Sequence, residues 1–312
     1  MKKFIINIFL FSLTPITLVC LSDYYLSRKD PFNYKRKYEE AIKQRDSIKI
    51  IALGNSHALN AINPKGFNLY TYNLANPNQS LYFDKLITLD LLDKLGNLSY
   101  VLISIDFHSL YFSSQGVRDI WSYYGNGIKY KDKSYFFEKI SPTLFGYSPK
   151  IVLYILKENF LENKKQEENY FRGHESLVGR DLNKFSQSNY VKRAQIFHDK
   201  IAKNMKYRDE IVEDLRHFIE ILKENNITPI LFNSPTYYQF NTELDEGFYK
   251  ENEKIIDKIA SEYNIKYWPF MKSSIFTKAH FYNPDHLNAK GAKRFSEILS
   301  DSIDMLNTNR KN

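Results

Sequence analysis

Along the chain, short apolar runs rich in β-branched residues alternate with longer segments whose apolar positions recur every three or four residues. The runs fall at 47–54 (SIKIIALG), 69–75 (LYTYNLA), 100–107 (YVLISIDF), 228–235 (TPILFNSP) and 265–270 (IKYWPF). Each is bounded by Gly, Pro, Asn or Asp and reads as a buried strand. The segments 81–95, 209–226, 249–263 and 289–306 carry the helical period. The second of them stops at Asn225-Asn226, residues that tolerate a left-handed helix end. Strands alternating with helices imply βαβ units. The expected fold is α/β: a three-layer sandwich around a mostly parallel five-stranded sheet.

Two stretches depart from this rhythm. Residues 111–209 show no clear strand, are rich in Tyr, Phe and Lys, and include helical pieces such as 149–163. This is too long for a plain loop, so it reads as a helical insertion between the third and fourth strands. At the other end, Lys2 and Lys3 precede an uncharged apolar run from Phe4 to Ser22. That run is long enough to cross a bilayer core of ~30 Å, and a basic, apolar N-terminus also suits an export signal. Residues 1–30 are therefore expected to be a membrane anchor or signal segment. An uncleaved anchor is favoured over cleavage after Ser22 or lipidation at Cys20. With the domain outside, Arg28, Lys29, Lys35, Arg36 and Lys37 lie on the far side, against the positive-inside tendency. Residues 31–46 are charged and read as a stalk helix, followed by one domain over 47–312.

Composition narrows this only at its edges. The chain has 312 residues, 43% hydrophobic and 26% charged, so wholesale disorder is excluded. The single Cys excludes a disulfide framework and a Cys-based zinc site. The net charge of +8 is spread along the chain and interleaved with acids, which speaks for a solvated face and not for nucleic-acid binding. His174, His198, His217 and His280 show no metal-ligand spacing, and no Gly-rich phosphate loop is present. No metal and no cofactor is expected.

The candidate chemistry sits at two places. The first strand ends in Gly54-Asn55-Ser56-His57. In parallel sheets ligands bind beyond the C-terminal ends of strands, so Ser56 is placed as a nucleophile. Its other reading is the N-cap of the following helix. Near the C-terminus, Asn283-Pro284-Asp285-His286-Leu287-Asn288 precedes the last helix. A serine nucleophile needs a base and the base an orienting acceptor, which His286 and Asp285 would supply. The alternative is that Asp285 caps the helix and His286 is a surface residue.

Together these residues resemble the SGNH (GDSL-like) hydrolase family over roughly 47–110 and 209–306. Gly54-Asn55-Ser56-His57 is similar to its first block, where Ser is the nucleophile. Tyr72 to Ser80 is similar to the second, with Asn78 where the family has the Gly whose N–H serves the oxyanion. Asp106-Phe107-His108-Ser109 follows the third strand, with His108 at the place of the family's oxyanion Asn. The family's closing Asp-x-x-His appears as Asn283 three positions before His286, with Asp285 directly before it. The resemblance implies Ser56 as nucleophile, His286 as base, and Asn78 and His108 at the oxyanion site. Asp285 is preferred as the orienter of His286, with Asn283 as the alternative.

The N-terminal span, the Gly-x-Ser-His motif and His-Leu-Asn-x-x-Gly-Ala are further similar to exported SGNH proteins of envelope-polymer modification. These include the D-alanyl-lipoteichoic-acid partner protein and the alginate O-acetyltransferases. What this implies is a serine-dependent acyltransferase or esterase held by a single span on the outer face of the inner membrane. Its partners would be an envelope polysaccharide or acyl donor and a polytopic membrane acyltransferase. The competing expectation is a non-catalytic SGNH-fold accessory that binds a glycan or that membrane partner, its site altered at Asn78, His108 and Asn283.

Overall fold

The structure, a computed structural model, describes residues 2–26, 33–112, 169–178 and 185–309. The helical piece expected at 149–163 lies outside them. The chain divides into two compact units, Met1–Lys35 with Gly116–Lys165 and Arg36–Gln115 with Gln166–Asn312. In the first, helix α1 (Lys2–Leu26) contains Pro15 and exposes Phe4, Ile5, Phe9 and Phe11. Among the described residues no helix is long and apolar enough to cross a membrane.

The second unit is built on a sheet of five parallel strands. They are β1 (Ile50–Leu53), β2 (Thr71–Asn73), β3 (Tyr100–Ser104), β6 (Thr228–Asn233) and β7 (Lys266–Pro269), in the order β2-β1-β3-β6-β7. Ile50 pairs with Thr71 on one side and with Tyr100 on the other. Tyr100 in turn pairs with Thr228. β1 and β3 are buried at every position, as expected of parallel strands covered on both faces. Helix α3 (Ser56–Ala61) packs with the last helix, α9 (Ala289–Asn309), while α4 (Leu81–Leu92) packs with α6 (Arg208–Glu224). Right-handed crossovers put these two pairs on opposite faces of the sheet. The result is a three-layer α/β sandwich, as the alternation of runs predicts.

The chain leaves β1 toward β2 on one side and reaches β3 on the other. The crevice beyond the C-terminal ends of β1 and β3 is therefore the topological switch point, where doubly wound sheets bind ligands. Past β3 the described part of the insertion adds two features. A hairpin of two-residue strands, β4 (Tyr170–Phe171) and β5 (His174–Glu175), lies against the edge strand β2. There Asn73 donates its N–H to Arg172 O at 2.9 Å. Gly173, at φ 83°, is so close that a Cβ would sit 1.7 Å from Asn73 O. Helix α5 (Gln187–Asn204) follows. Between β6 and β7 lie α7 (Tyr238–Asn241) and α8 (Glu246–Glu262), and a bulged hairpin of β8 (Phe281–Asn283) and β9 (His286–Leu287) precedes α9.

Within α2 (Tyr34–Lys43), Lys37 is buried and donates to Ala75 O at 2.8 Å and Asn76 Oδ1 at 3.2 Å. Glu40 accepts from the hydroxyls of Tyr72 and Tyr170. The segment expected as a stalk thus packs against the loop after β2 through residues 36–43.

Candidate active site

β1 delivers the chain to Gly54, whose φ of 133° is open to glycine alone. A Cβ there would meet Ser104 Cβ at 2.6 Å, so the turn sits tight on β3. Asn55 is the N-cap of α3, its Oδ1 accepting the His57 N–H at 2.8 Å. The cap is therefore Asn55 and not Ser56, which leaves the Ser56 hydroxyl for other work. Asn55 Nδ2 donates to Asp106 Oδ2 at 3.0 Å, anchoring the turn to the end of β3.

His286 faces Ser56 from the bulged hairpin. Its Nε2 lies 2.9 Å from Ser56 Oγ. On the other side of the ring, Nδ1 lies 3.0 Å from Asn283 Oδ1 and 3.3 Å from Asp285 Oδ1. Asn283 Oδ1 also accepts the backbone N–H groups of Asp285 (3.1 Å) and His286 (2.8 Å). An amide oxygen has two lone pairs, and these two N–H groups already use them. Asn283 thus shapes the loop and shares a crowded oxygen with the ring, while Asp285 is the nearest charge. The two candidate orienters stand side by side.

Asp285 is fully buried, and its Oδ2 accepts from Arg193 Nε at 2.9 Å and Nη2 at 2.6 Å. His57 Nε2 lies 3.3 Å from the same oxygen. His57 Nδ1 points the other way, 3.5 Å from Asp106 Oδ1. Burial alone would raise the Asp285 carboxyl, but His286 and His57 outweigh it and hold it well below the ordinary carboxylate range. Asp106 is held at about 2, the charge and bonding of His57 overcoming burial. Burial would lower His57, yet the two carboxylates bring it to about 9. His286 is lowered, chiefly by burial, with Asp285 working against and His57 and Arg193 with it. A base that is neutral at neutral pH follows, which is what proton abstraction from a serine requires.

The expected oxyanion residues line the same small cavity as Ser56, with a volume of about 40 Å3. Asn78 takes φ 57°, the left-handed conformation its side chain tolerates best after glycine. His108 Nε2 lies 3.5 Å from Asn55 Nδ2. If Asn55 is the donor there, the His108 proton sits on Nδ1, which has no hydrogen-bond partner among the described residues. Burial, then the His57 charge, lowers His108 to about 3, so its ring is neutral at neutral pH. Arg193 and Lys200 of α5 also line the cavity, as does buried Asp84.

Among the described residues His57, Asp285 and His286 bring ligating atoms within 4.8 Å of one another. Asp285 Oδ2 accepts from a guanidinium, His286 Nε2 faces Ser56 and His57 Nε2 faces Asp285, while His57 Nδ1 and Asp285 Oδ1 have no hydrogen-bond partner among the described residues. The cation that the site itself places on Asp285 Oδ2 is Arg193.

Four residues of this network were not singled out as site residues from the chain: His57, Asp84, Asp106 and Arg193. Asp106 carried a signal, since it lies two residues past the end of β3 at the switch point. Arg193 carried none, because it sits on an amphipathic helix of the insertion and meets Asp285 only in the folded chain.

No protein-family model and no curated protein matches the chain. Among solved structures it is similar to a provisionally named acylhydrolase of Bacteroides fragilis, at 10% identity and a TM-score of 0.42, over 89% of this chain and 99% of the other. It is also similar to a Streptococcus pneumoniae protein provisionally named a platelet activating factor. The identity there is 12% and the TM-score 0.40, over 92% of this chain and 98% of the other.

Proposed function

We propose that the protein is a serine-dependent acyl-transfer enzyme, an esterase or O-acyltransferase that works through an acyl-enzyme on Ser56. The observation that carries this is the 2.9 Å contact between Ser56 Oγ and His286 Nε2 at the switch point of a parallel sheet. In the first half-reaction His286 Nε2 takes the hydroxyl proton as Oγ bonds to the acyl carbon. The tetrahedral oxyanion would be met by donors from the Ser56 turn, Asn78 and His108. Collapse breaks the bond to the leaving alcohol, which receives the proton from Nε2. In the second half the same nitrogen deprotonates the acceptor, water in hydrolysis or a hydroxyl in transfer, and Ser56 is regenerated. A cavity of about 40 Å3 suits a short acyl group, since one water already needs ~10–15 Å3 in this measure.

The substrate we favour is an acylated envelope polysaccharide, and the site of action the outer face of the inner membrane. Lys2, Lys3 and the apolar run after them support this, as does the resemblance of the motifs to exported SGNH proteins. Protease accessibility of the domain from that face checks the placement, and protection there argues against it. A polytopic acyltransferase would be the donor-side partner.

The deciding experiment is turnover of p-nitrophenyl acetate and of an O-acetylated glycan by the full chain and by Ser56→Ala. Loss of both activities by several orders of magnitude is expected, because the nucleophile and its base act as one unit. Equal rates in the two chains would remove Ser56 from the chemistry. A wild-type chain that neither turns over nor is labelled on Ser56 by a fluorophosphonate would instead be the glycan-binding accessory.

A further inference from the structure

We propose that His57 is a positioning residue, an imidazolium clamp that ties Asp285 to Asp106 and so holds the carboxylate against His286. Its effect on catalysis rests on the acyl-transfer reading; the clamp itself does not.

The geometry around the ring leads there. His57 is 5% exposed and each of its nitrogens faces a carboxylate, Asp106 at 3.5 Å and Asp285 at 3.3 Å. An ionised carboxylate only accepts, and a neutral imidazole carries a single N–H. A neutral ring would therefore turn a lone pair toward one of the two negative groups. Only the doubly protonated ring presents an N–H to both sides, the Nδ1 side meeting Asp106 by charge without a hydrogen bond. Both contacts are longer than a well-formed charge-assisted bond of ~2.7–2.9 Å, so the clamp works by charge more than by short hydrogen bonds. The groups that face His57 come from three elements. The turn after β3 supplies Asp106 and His108, and the bulged hairpin supplies Asp285 and His286. From α5 come the Phe197 ring and, across Asp285, Arg193. Asp106 and Asp285 stand against His57 and Arg193, Asp84 of α4 and Lys200 of α5 line the cavity that His57 also lines, and the lowered pKa of His108 leaves it neutral.

Two consequences reach the reaction. His57 directly follows Ser56, so the residue beside the nucleophile grips the carboxylate beside the base. Asp106 is itself fixed by Ser104 Oγ at 2.9 Å and by the Ser234 N–H at 3.1 Å. The clamp thereby ties the base loop to the ends of β3 and β6. The His57 ring also stands edge-on to His286, with centroids 4.8 Å apart. A cation there disfavours a second one on His286 and keeps that ring free to accept the Ser56 proton at lower pH.

The test uses the full chain labelled with 15N at its histidine rings, with His57 assigned by backbone correlation. His57 is expected to show two protonated ring nitrogens from pH 6 to pH 8. A neutral tautomer at pH 7 overturns the clamp whether or not the protein is an esterase. In the kinetic arm, His57→Gln is expected to move the acid limb of kcat/KM for p-nitrophenyl acetate to higher pH by about one unit, as losing a like charge at this distance does. A fall in rate with the limb unmoved would make His57 a packing residue and overturn the positioning role. If His57→Gln does not fold, Asp106→Asn takes its place. Removing one carboxylate must bring His57 into titration between pH 6 and 8, and a ring that stays charged there overturns the clamp. Absence of Ser56-dependent turnover would defeat the acyl-transfer reading alone and leave the ring nitrogens to decide the clamp.

Discussion

The turn that carries Ser56 and the turn that carries His286 meet where Ser56 Oγ lies 2.9 Å from His286 Nε2 and His57 Nε2 lies 3.3 Å from Asp285 Oδ2, yet they are held by different means. The nucleophile turn is held by backbone and by the Asn55 side chain, which caps α3 and donates to Asp106. Gly54 O accepts the Asn76 N–H, Asn55 O accepts the Leu59 N–H, and the missing Cβ of Gly54 lets the chain lie on β3. The base turn also takes a backbone bond, Tyr237 N–H to Pro284 O. At its centre it is held by side chains, with Asn283 Oδ1 taking two backbone N–H groups and Asp285 taking Arg193 and His57. Backbone placement follows from sheet register and is indifferent to pH. Side-chain placement depends on charge states that single substitutions and protons change. The difference teaches where this site is vulnerable: the base loop should fail first.

The largest effect expected within that loop is that of Asp285→Asn. Removing the carboxylate beside Nδ1 takes away the charge that would balance a protonated His286, and in serine proteases the matching change costs ~10⁴ in turnover. A loss of at least 100-fold is expected, with Asn283→Ala milder and Asn283→Asp near neutral, because the amide oxygen mainly shapes the loop. Measured side by side, a severe Asn283→Ala with an indifferent Asp285→Asn would reverse the roles and make the amide the orienter.

A smaller effect is expected one contact further out. Arg193→Met removes two donors from Asp285 Oδ2 but leaves His57 in place. About a tenfold loss in kcat is expected, ~1.4 kcal/mol of barrier, with Arg193→Lys recovering part of it, since a point charge cannot reproduce a two-toothed contact. Full activity in Arg193→Met would show that His57 alone suffices to hold the carboxylate.

The same contrast explains what could be read from the chain. The strands were legible because parallel strands buried on both faces leave continuous apolar runs, as at Ile50–Leu53 and Tyr100–Ser104. Ser56 and His286 stood out because each polar residue sits where a strand or hairpin hands over to a helix. The hairpin Tyr170–Glu175 was not legible, since two-residue strands carry no period and its place is set by Gly173 against Asn73. Nor were the partners of Asp285, because Arg193 and His57 reach it from distant parts of the chain.

The smallest effect should fall on the nucleophile side, at Asp84. This carboxyl is buried, and burial raises it to about 7, with the Gln79 amide and the Gly54 backbone working against that rise. Gln79 Nε2 donates to its Oδ1 at 2.6 Å, while Oδ2 has no hydrogen-bond partner among the described residues. A folded-state value above the unfolded one means that ionisation costs stability. The cost is absent below the unfolded value near 4, grows as pH rises, and is complete above about 7. Asp84→Asn keeps the accepting Oδ1 and cannot ionise. Its melting temperature should therefore exceed that of the wild type at pH 8 and match it or fall slightly below at pH 4, where 1 kcal/mol corresponds to ~2–4 °C for a domain of this size. Turnover at pH 7 should change less than in either base-loop variant, because the Ser56 turn keeps its backbone bonds. A loss of activity as large as that of Asp285→Asn, with no gain in melting temperature at pH 8, would mean that the nucleophile side also depends on a buried charge, and the contrast between the two turns would fall.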